Sequence, residues 1–298
     1  MATYDRIVLL GSNGMLAQAF TEALTGREHT LVGFDRSECD IANLAETRRV
    51  LRDLAPTLVL NCAAYTNVDG AEADAMTADA VNGHGVGNIA EACCELNAKL
   101  VHFGTDFVFD GRFQFAPRPY TETDPCCPLS AYGRSKLLGE RRLADVNPPG
   151  WLLLRTSWLY GATGDNFPRT MLRLAAAGKP LTVVNDHLGA PTYAGHLVEA
   201  ALALIEMDAT GTFHVCNRGQ TTWFEFAREV LRQFGQQAEV RPIHAADWKA
   251  MRPASAVRPN YSVLDCSRLE AVLGRPMPTW QQGLHSFHDA IEPIQIIA

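Results

Sequence analysis

Short, unbroken apolar runs alternate with amphipathic stretches through the first half of the chain. Arg6–Leu10, Thr30–Phe34, Thr57–Leu60, Lys99–Phe103 and Trp151–Leu154 read as strands. Gly14–Leu24, Leu44–Leu54, a long stretch from Thr77 to Asn97, and Ala131–Val146 carry helical periodicity between them. Several of the strands are continuously apolar rather than alternating, which is what burial on both faces of a parallel sheet demands. Strand–helix alternation with short links implies right-handed crossovers and a doubly wound sheet.

The second half is less regular. Pro, Gly and Arg are dense in Pro180–Pro191 and Pro242–Pro259, while Ala194–Met207 and Trp223–Phe234 read as helices. Gly211–Cys216 is expected to return as a late strand of the main sheet. The expected fold is α/β, a Rossmann-type doubly wound parallel sheet with a smaller, mixed α/β C-terminal substrate domain. Residues 1–158 plus about 190–216 would form the dinucleotide-binding domain, and about 159–189 plus 217–298 the substrate domain.

Composition narrows the function. The net charge of −7 leaves no broad basic footprint for nucleic acid, so an anionic ligand must be met by local Arg and Lys. The apolar run Ile7 to Leu10 is too short for a secretory leader, and no stretch approaches the roughly 18 apolar residues of a membrane span. These features read as a soluble, cytoplasmic chain without a membrane or nucleic-acid partner. None of the eight cysteines forms a C-x-x-C pair, so they read as reduced, core-filling thiols with no metal.

After the first strand comes Gly11-Ser12-Asn13-Gly14-Met15-Leu16-Ala17. Gly11 can make the tight turn, Gly14 lets a pyrophosphate approach the backbone, and the next helix points its free N–H groups at the phosphates. Ala17 can serve as the third small residue, where helix and strand pack closely. Asp35 ends the second strand and can accept from an adenosine ribose, whereas Arg36 could meet a 2′-phosphate. NADPH is the expected cofactor, with NADH possible.

Tyr132 and Lys136 are four apart at the start of a helix and share a face. A phenol titrates near pH 10, so a nearby ammonium would be needed to lower it. Y-x-x-x-K alone is common. Its weight comes from Thr105 and Arg155-Thr156-Ser157-Trp158, which end the fourth and fifth strands, where doubly wound sheets bind ligands.

These segments resemble the extended short-chain dehydrogenases and, within them, the reductases of the rhamnose pathway. Further matches are Asn61-Cys62-Ala63-Ala64-Tyr65-Thr66, Val81-Asn82, Thr105-Asp106-Phe107-Val108-Phe109, Arg155 to Tyr160, Asn166-Phe167, Asp186 to Thr192 and Arg258-Pro259. The resemblance implies hydride transfer to the C4 ketone of a nucleotide-linked deoxysugar. Tyr132 would donate the proton, Lys136 would lower its pKa and position the cofactor, and Thr105 would polarise the carbonyl. The implied cofactor set is Gly11, Asn13, Gly14, Met15, Leu16, Asp35, Arg36, Asp40, Ile41, Ala63, Ala64, Tyr65, Asn82, Thr105, Tyr132 and Lys136. The implied substrate set is Thr105, Asp106, Phe107, Trp158, Asn166 and Arg258, with Arg258 clamping the diphosphate. Some relatives bind magnesium at a dimer interface through a Glu where this chain has Ala19, so no such bridge is expected. A monomer or a homodimer is compatible with this.

Other readings differ in residues. A dehydratase would carry an acidic pair after Thr105, and here only Asp106 follows. An epimerase or reductase of different sugar specificity, or a dinucleotide-binding regulatory subunit, keeps the same fold. His187 reads as structural, Trp223, Phe224 and Phe226 as a capped helix start with a buried face, and Asp69, Glu72 and Asp74 as a solvated acidic loop.

Overall fold

The computed structural model describes residues 4–111 and 118–291. Its centre is a six-stranded parallel sheet. Five strands come from the first half: β1 (Arg6–Leu10), β2 (Thr30–Phe34), β3 (Leu58–Asn61), β4 (Lys99–Thr105) and β5 (Leu152–Thr156). The sixth, Gly211–His214, adds beside β5, so that the sheet runs Gly211–His214, β5, β4, β3, β1, β2. Every residue of β3, β4 and β5 is buried, which is why Leu58–Leu60 and Leu152–Leu154 read as unbroken apolar runs.

Two apolar layers sandwich the sheet. One packs helices Met15–Leu24 and Ala194–Glu206 against Ile7, Leu9, Leu60, Val101 and Leu154. The other packs helices Leu44–Leu54 and Gly85–Leu96 against Val8, Leu10, Val59, Leu100 and Leu153. The alternate side chains of each strand thus serve opposite layers.

The stretch expected as one helix over Thr77–Asn97 is broken. Ala75–Asp79 is α-helical, Ala80–His84 is a π-helical turn, and Gly85–Leu96 is α-helical. The turn carries Asn82, whose side chain is engaged across the fold rather than along its helix.

A further apolar cluster forms around helices Phe167–Ala176, Trp223–Gln233 and Trp280–Ala290. Strands Leu181–Val184 and Val240–Ile243 pair in parallel beside it. Both are short, and their pairing joins segments far apart in sequence, so only the Pro- and Gly-rich punctuation around them was visible beforehand.

Candidate active site

A crevice of about 1580 Å³ opens along the carboxyl ends of the strands. Gly11, with φ +78°, makes the turn out of β1. A Cβ there would lie 2.7 Å from the Ala63 backbone, so only glycine lets the two loops meet. Gly14 is extended and caps helix Met15–Leu24, leaving its first N–H groups without a side-chain partner. Gly11, Asn13, Gly14, Met15, Leu16, Ala63, Ala64 and Tyr65 all line the crevice. This glycine cradle fits the diphosphate of a dinucleotide.

Asp35, Arg36, Asp40 and Ile41 line the same end. The Asp35 carboxylate accepts from the N–H and hydroxyl of Ser37, at 2.8 and 2.7 Å, and from Asn13 Nδ2 at 2.8 Å. Ser37 first, then Glu38 and Asn13, hold it below the usual carboxylate range. It stays anionic, as an acceptor for ribose hydroxyls must be. Ser37 also lines the crevice, a contribution the sequence did not reveal.

Thr105, Tyr132 and Lys136 converge at the middle of the crevice. Ser130 caps helix Ala131–Val146 by accepting from Gly133 N at 3.1 Å, which fixes where the Tyr and Lys begin their shared face. The Lys136 ammonium is buried and donates to the Phe103 carbonyl at 2.6 Å. Burial lowers it to about 8, against the attraction of Glu140. The Tyr132 ring packs edge-on to Phe107, ring centroids 5.8 Å apart.

Here the expectation that Lys136 lowers Tyr132 is corrected. Burial, followed by the Asp106 charge, pushes the phenol up to about 12, and only Thr105 opposes this. The ammonium is turned to the Phe103 carbonyl and takes no part among these influences on the phenol. Tyr132 is therefore kept protonated, the state a proton donor requires.

Asn82 was expected to line the cofactor, but it is 1% exposed and does not reach the crevice. Its amide bonds Tyr65 N at 2.8 Å, Tyr65 O at 3.0 Å and Ser135 Oγ at 2.9 Å. It ties the loop after β3 to the helix of Tyr132. Asn166 is likewise taken up by the fold. It caps helix Phe167–Ala176 through Arg169 N at 3.2 Å, and its amide donates to Gly161 O at 2.8 Å. The neighbouring Asp165 and Phe167 line the crevice instead.

The far end has an aromatic wall. Trp158 stacks on Trp223, ring centroids 3.6 Å apart and 9° from parallel. Trp158 itself has φ +45°, rare for a bulky residue, and its indole occupies the space a Cβ on Gly189 would need. That explains the glycine of the Asp186–Thr192 segment. Trp223 was read as a helix start with a buried face; it also forms part of the crevice wall.

Arg258 lines the crevice and pairs with Asp69 at 2.8 Å. The acidic loop is thus not merely solvated. Asp69 also accepts from Ala256 N, Glu72 from Ala131 N and Asp74 from Thr77 N. Lys249, Trp248 and His187 line the same end, and burial lowers His187 towards its neutral form. Among the described residues there is no group of three His, Cys, Asp or Glu side chains that could hold a metal. No helix there is long and apolar enough to cross a membrane.

A family model described as RmlD substrate binding domain matches residues 5–292. The chain is 38% identical over 288 residues to a dTDP-4-dehydrorhamnose reductase of Sinorhizobium fredii, covering 93% of this chain and 94% of the relative. It is 37% identical over 261 residues to a dTDP-4-keto-6-deoxy-D-glucose reductase of Streptomyces niveus, covering 87% and 88%. Among solved structures it is similar to dTDP-4-dehydrorhamnose reductase of Bacillus anthracis in complex with NADP. That likeness has a TM-score of 0.90 at 34% identity and covers 96% of this chain and 99% of the other.

Proposed function

The chain belongs to the RmlD family, and from that premise we infer that it is an NADPH-dependent oxidoreductase reducing the C4 ketone of dTDP-4-dehydrorhamnose to give dTDP-L-rhamnose. NADH is the alternative cofactor. The observation that carries this reading is the meeting of Thr105, Tyr132 and Lys136 on the floor of a crevice whose other end is the glycine cradle.

Residues 1–158 plus about 190–216 hold the dinucleotide, and the remainder takes the nucleotide sugar. Gly11, Asn13, Gly14, Met15 and Leu16 receive the diphosphate, while Asp35 and Arg36 receive the adenosine ribose. When bound, the nicotinamide supplies the reducing equivalent. Thr105 donates a hydrogen bond to the ketone oxygen and polarises it. Tyr132, kept protonated by burial, delivers its phenolic proton to that oxygen as negative charge develops. Lys136 holds a positive charge beneath the site and orients the bound ribose. Trp158 and Trp223 pack on the sugar nucleotide, and the Arg258 guanidinium matches its diphosphate.

The compartment is the cytoplasm, in keeping with eight free thiols. The working form is a monomer or a homodimer. The test is oxidation of NADPH or NADH by the purified chain with dTDP-4-dehydrorhamnose and, separately, dTDP-4-keto-6-deoxy-D-glucose, with products identified by NMR. Selective turnover of the first with NADPH supports the reading; no turnover of it refutes the reading.

A further inference from the structure

We propose that Trp248 is the platform on which the nucleobase of the sugar nucleotide stacks; this rests on the function proposed above. Trp248 sits in the short helix Ala245–Met251, is half-buried, and lines the far end of the crevice. The Arg252 guanidinium lies over its ring, 4.2 Å from the centroid, while Arg252 itself stands outside the crevice. One face of the indole is therefore covered from without, and the other borders the cavity. A half-exposed aromatic face with a cation behind it suits a second flat π-system.

Trp248 is fastened to Arg258 through one loop. Lys249 Nζ donates to the Pro253 carbonyl at 2.8 Å and to the Ser255 carbonyl, folding the chain after the helix back onto it. Ala256, next in line, donates its N–H to Asp69 at 2.9 Å, and its carbonyl accepts from Arg258 Nη1 at 3.2 Å. The start of the helix hangs from Asp186, whose carboxylate accepts from Ala245 N at 2.9 Å. Aromatic platform and guanidinium are thus held as one piece.

That placement selects the ligand. The ketone is held beside Thr105 and Tyr132, and Arg258 takes the diphosphate, so the part of the substrate that extends beyond Arg258 is the nucleoside. The hexose is not free to reach Trp248, because its C4 must stay at Tyr132. The adenine of the cofactor is excluded too, because its ribose lies with Asp35 and Arg36 at the other end of the crevice. Stacking needs only a π-face, which every nucleobase has.

The test is calorimetric titration of the full chain, loaded with NADP+, with dTDP and with the abasic 2-deoxyribose 5-diphosphate. Trp248→Ala should raise Kd for dTDP about tenfold or more, within the range of base–aromatic stacking, and leave Kd for the abasic diphosphate within about twofold. Trp248→Phe keeps a ring and should bind dTDP within about threefold of wild type, yet lose most of the tryptophan quenching that dTDP causes in wild type. NADPH affinity, titrated separately, should stay within about twofold in both variants. A Kd for dTDP that Trp248→Ala leaves unchanged overturns the platform. So does an equal loss for dTDP and the abasic diphosphate, or an equal loss for dTDP and NADPH. Should Trp248→Ala fail to fold, Trp248→Phe decides: quenching as large as in wild type overturns the assignment. Wild type that binds NADPH but not dTDP refutes the substrate reading itself, an outcome distinct from all of these.

Discussion

Trp158 and Trp223 lie face to face, 3.6 Å between ring centroids, although 65 positions of sequence separate them. One follows the end of β5; the other opens helix Trp223–Gln233. Trp158 keeps a left-handed backbone at φ +45°, a conformation that persists only where the surroundings enforce it. Removing the partner ring by Trp223→Ala should release that enforcement. KM for the sugar nucleotide is expected to rise about fivefold, on the scale of an aromatic pair worth roughly 1 kcal/mol, with NADPH affinity unchanged. Steady-state kinetics with both ligands varied checks it; an unchanged KM removes the pair from the substrate site.

Tyr132→Phe keeps the ring, its edge contact with Phe107 and the burial, and removes only the proton. NADPH binding should stay within about twofold, while kcat falls by about 10² or more, the usual scale for a lost general acid. Fluorescence titration and initial rates separate the two quantities. Near-full activity in Tyr132→Phe assigns the proton to another group.

Much of this was legible beforehand, for a physical reason. Strands β3 to β5, and β1 beyond Arg6, are buried on both faces, so apolar residues dominate them, and the ends of β4 and β5 place Thr105 and Trp158. The glycine loop is legible because Gly11 has no substitute where the Ala63 backbone comes within 2.7 Å of its missing Cβ. Other features depend on contacts that periodicity does not encode. Asn82 and Asn166 match a family motif, yet their amides are consumed by Tyr65 and Ser135 and by a helix cap. Trp223 resembles any apolar residue at a helix start until the opposite lobe is seen. The Phe103 carbonyl that holds Lys136 is a backbone atom, invisible in sequence.

Lys136 trades stability for function. Its ordinary value of 10.5 falls to about 8 in the fold because burial disfavours the ammonium. Below about 8 both folded and unfolded chains carry the charge, and the cost, roughly 3 kcal/mol, is fully present. As pH rises from about 8 towards 10.5 the folded chain loses its proton first, and the cost disappears. Lys136→Met should therefore be more stable than wild type at neutral pH, with the difference shrinking at alkaline pH and activity lost throughout. Denaturant unfolding at several pH values measures this. A destabilised Lys136→Met would mean that the bond to Phe103 outweighs burial.

Arg258 is paired within the fold. Its guanidinium pairs with Asp69 at 2.8 Å and donates to Ala256 O at 3.2 Å, which aims it along the crevice. Arg258→Ala should raise KM for the sugar nucleotide by about 10- to 100-fold, the range of a lost charge-assisted contact, with kcat changed far less. A similar effect on NADPH affinity would place Arg258 at the cofactor instead.

Beneath the reacting groups, Arg155 and Glu140 form a buried pair, with Nη2 to Oε2 at 2.8 Å and side chains 8% and 4% exposed. Arg155 lies in β5, and Glu140 sits one helical turn beyond Lys136, so the pair pins the helix of Tyr132 and Lys136 to the sheet. Glu140→Ala leaves a guanidinium buried without its anion and should cost about 3–5 kcal/mol. Because well-packed apolar groups can replace a buried ion pair, Glu140→Leu with Arg155→Met should recover most of that loss. If the pair acts only through stability, the double variant also regains kcat. Should it refold to near wild-type Tm yet remain slow, the Glu140 charge itself supports the Lys136 ammonium, the direction of its influence on that group. Thermal unfolding and initial rates of the three variants decide between these outcomes.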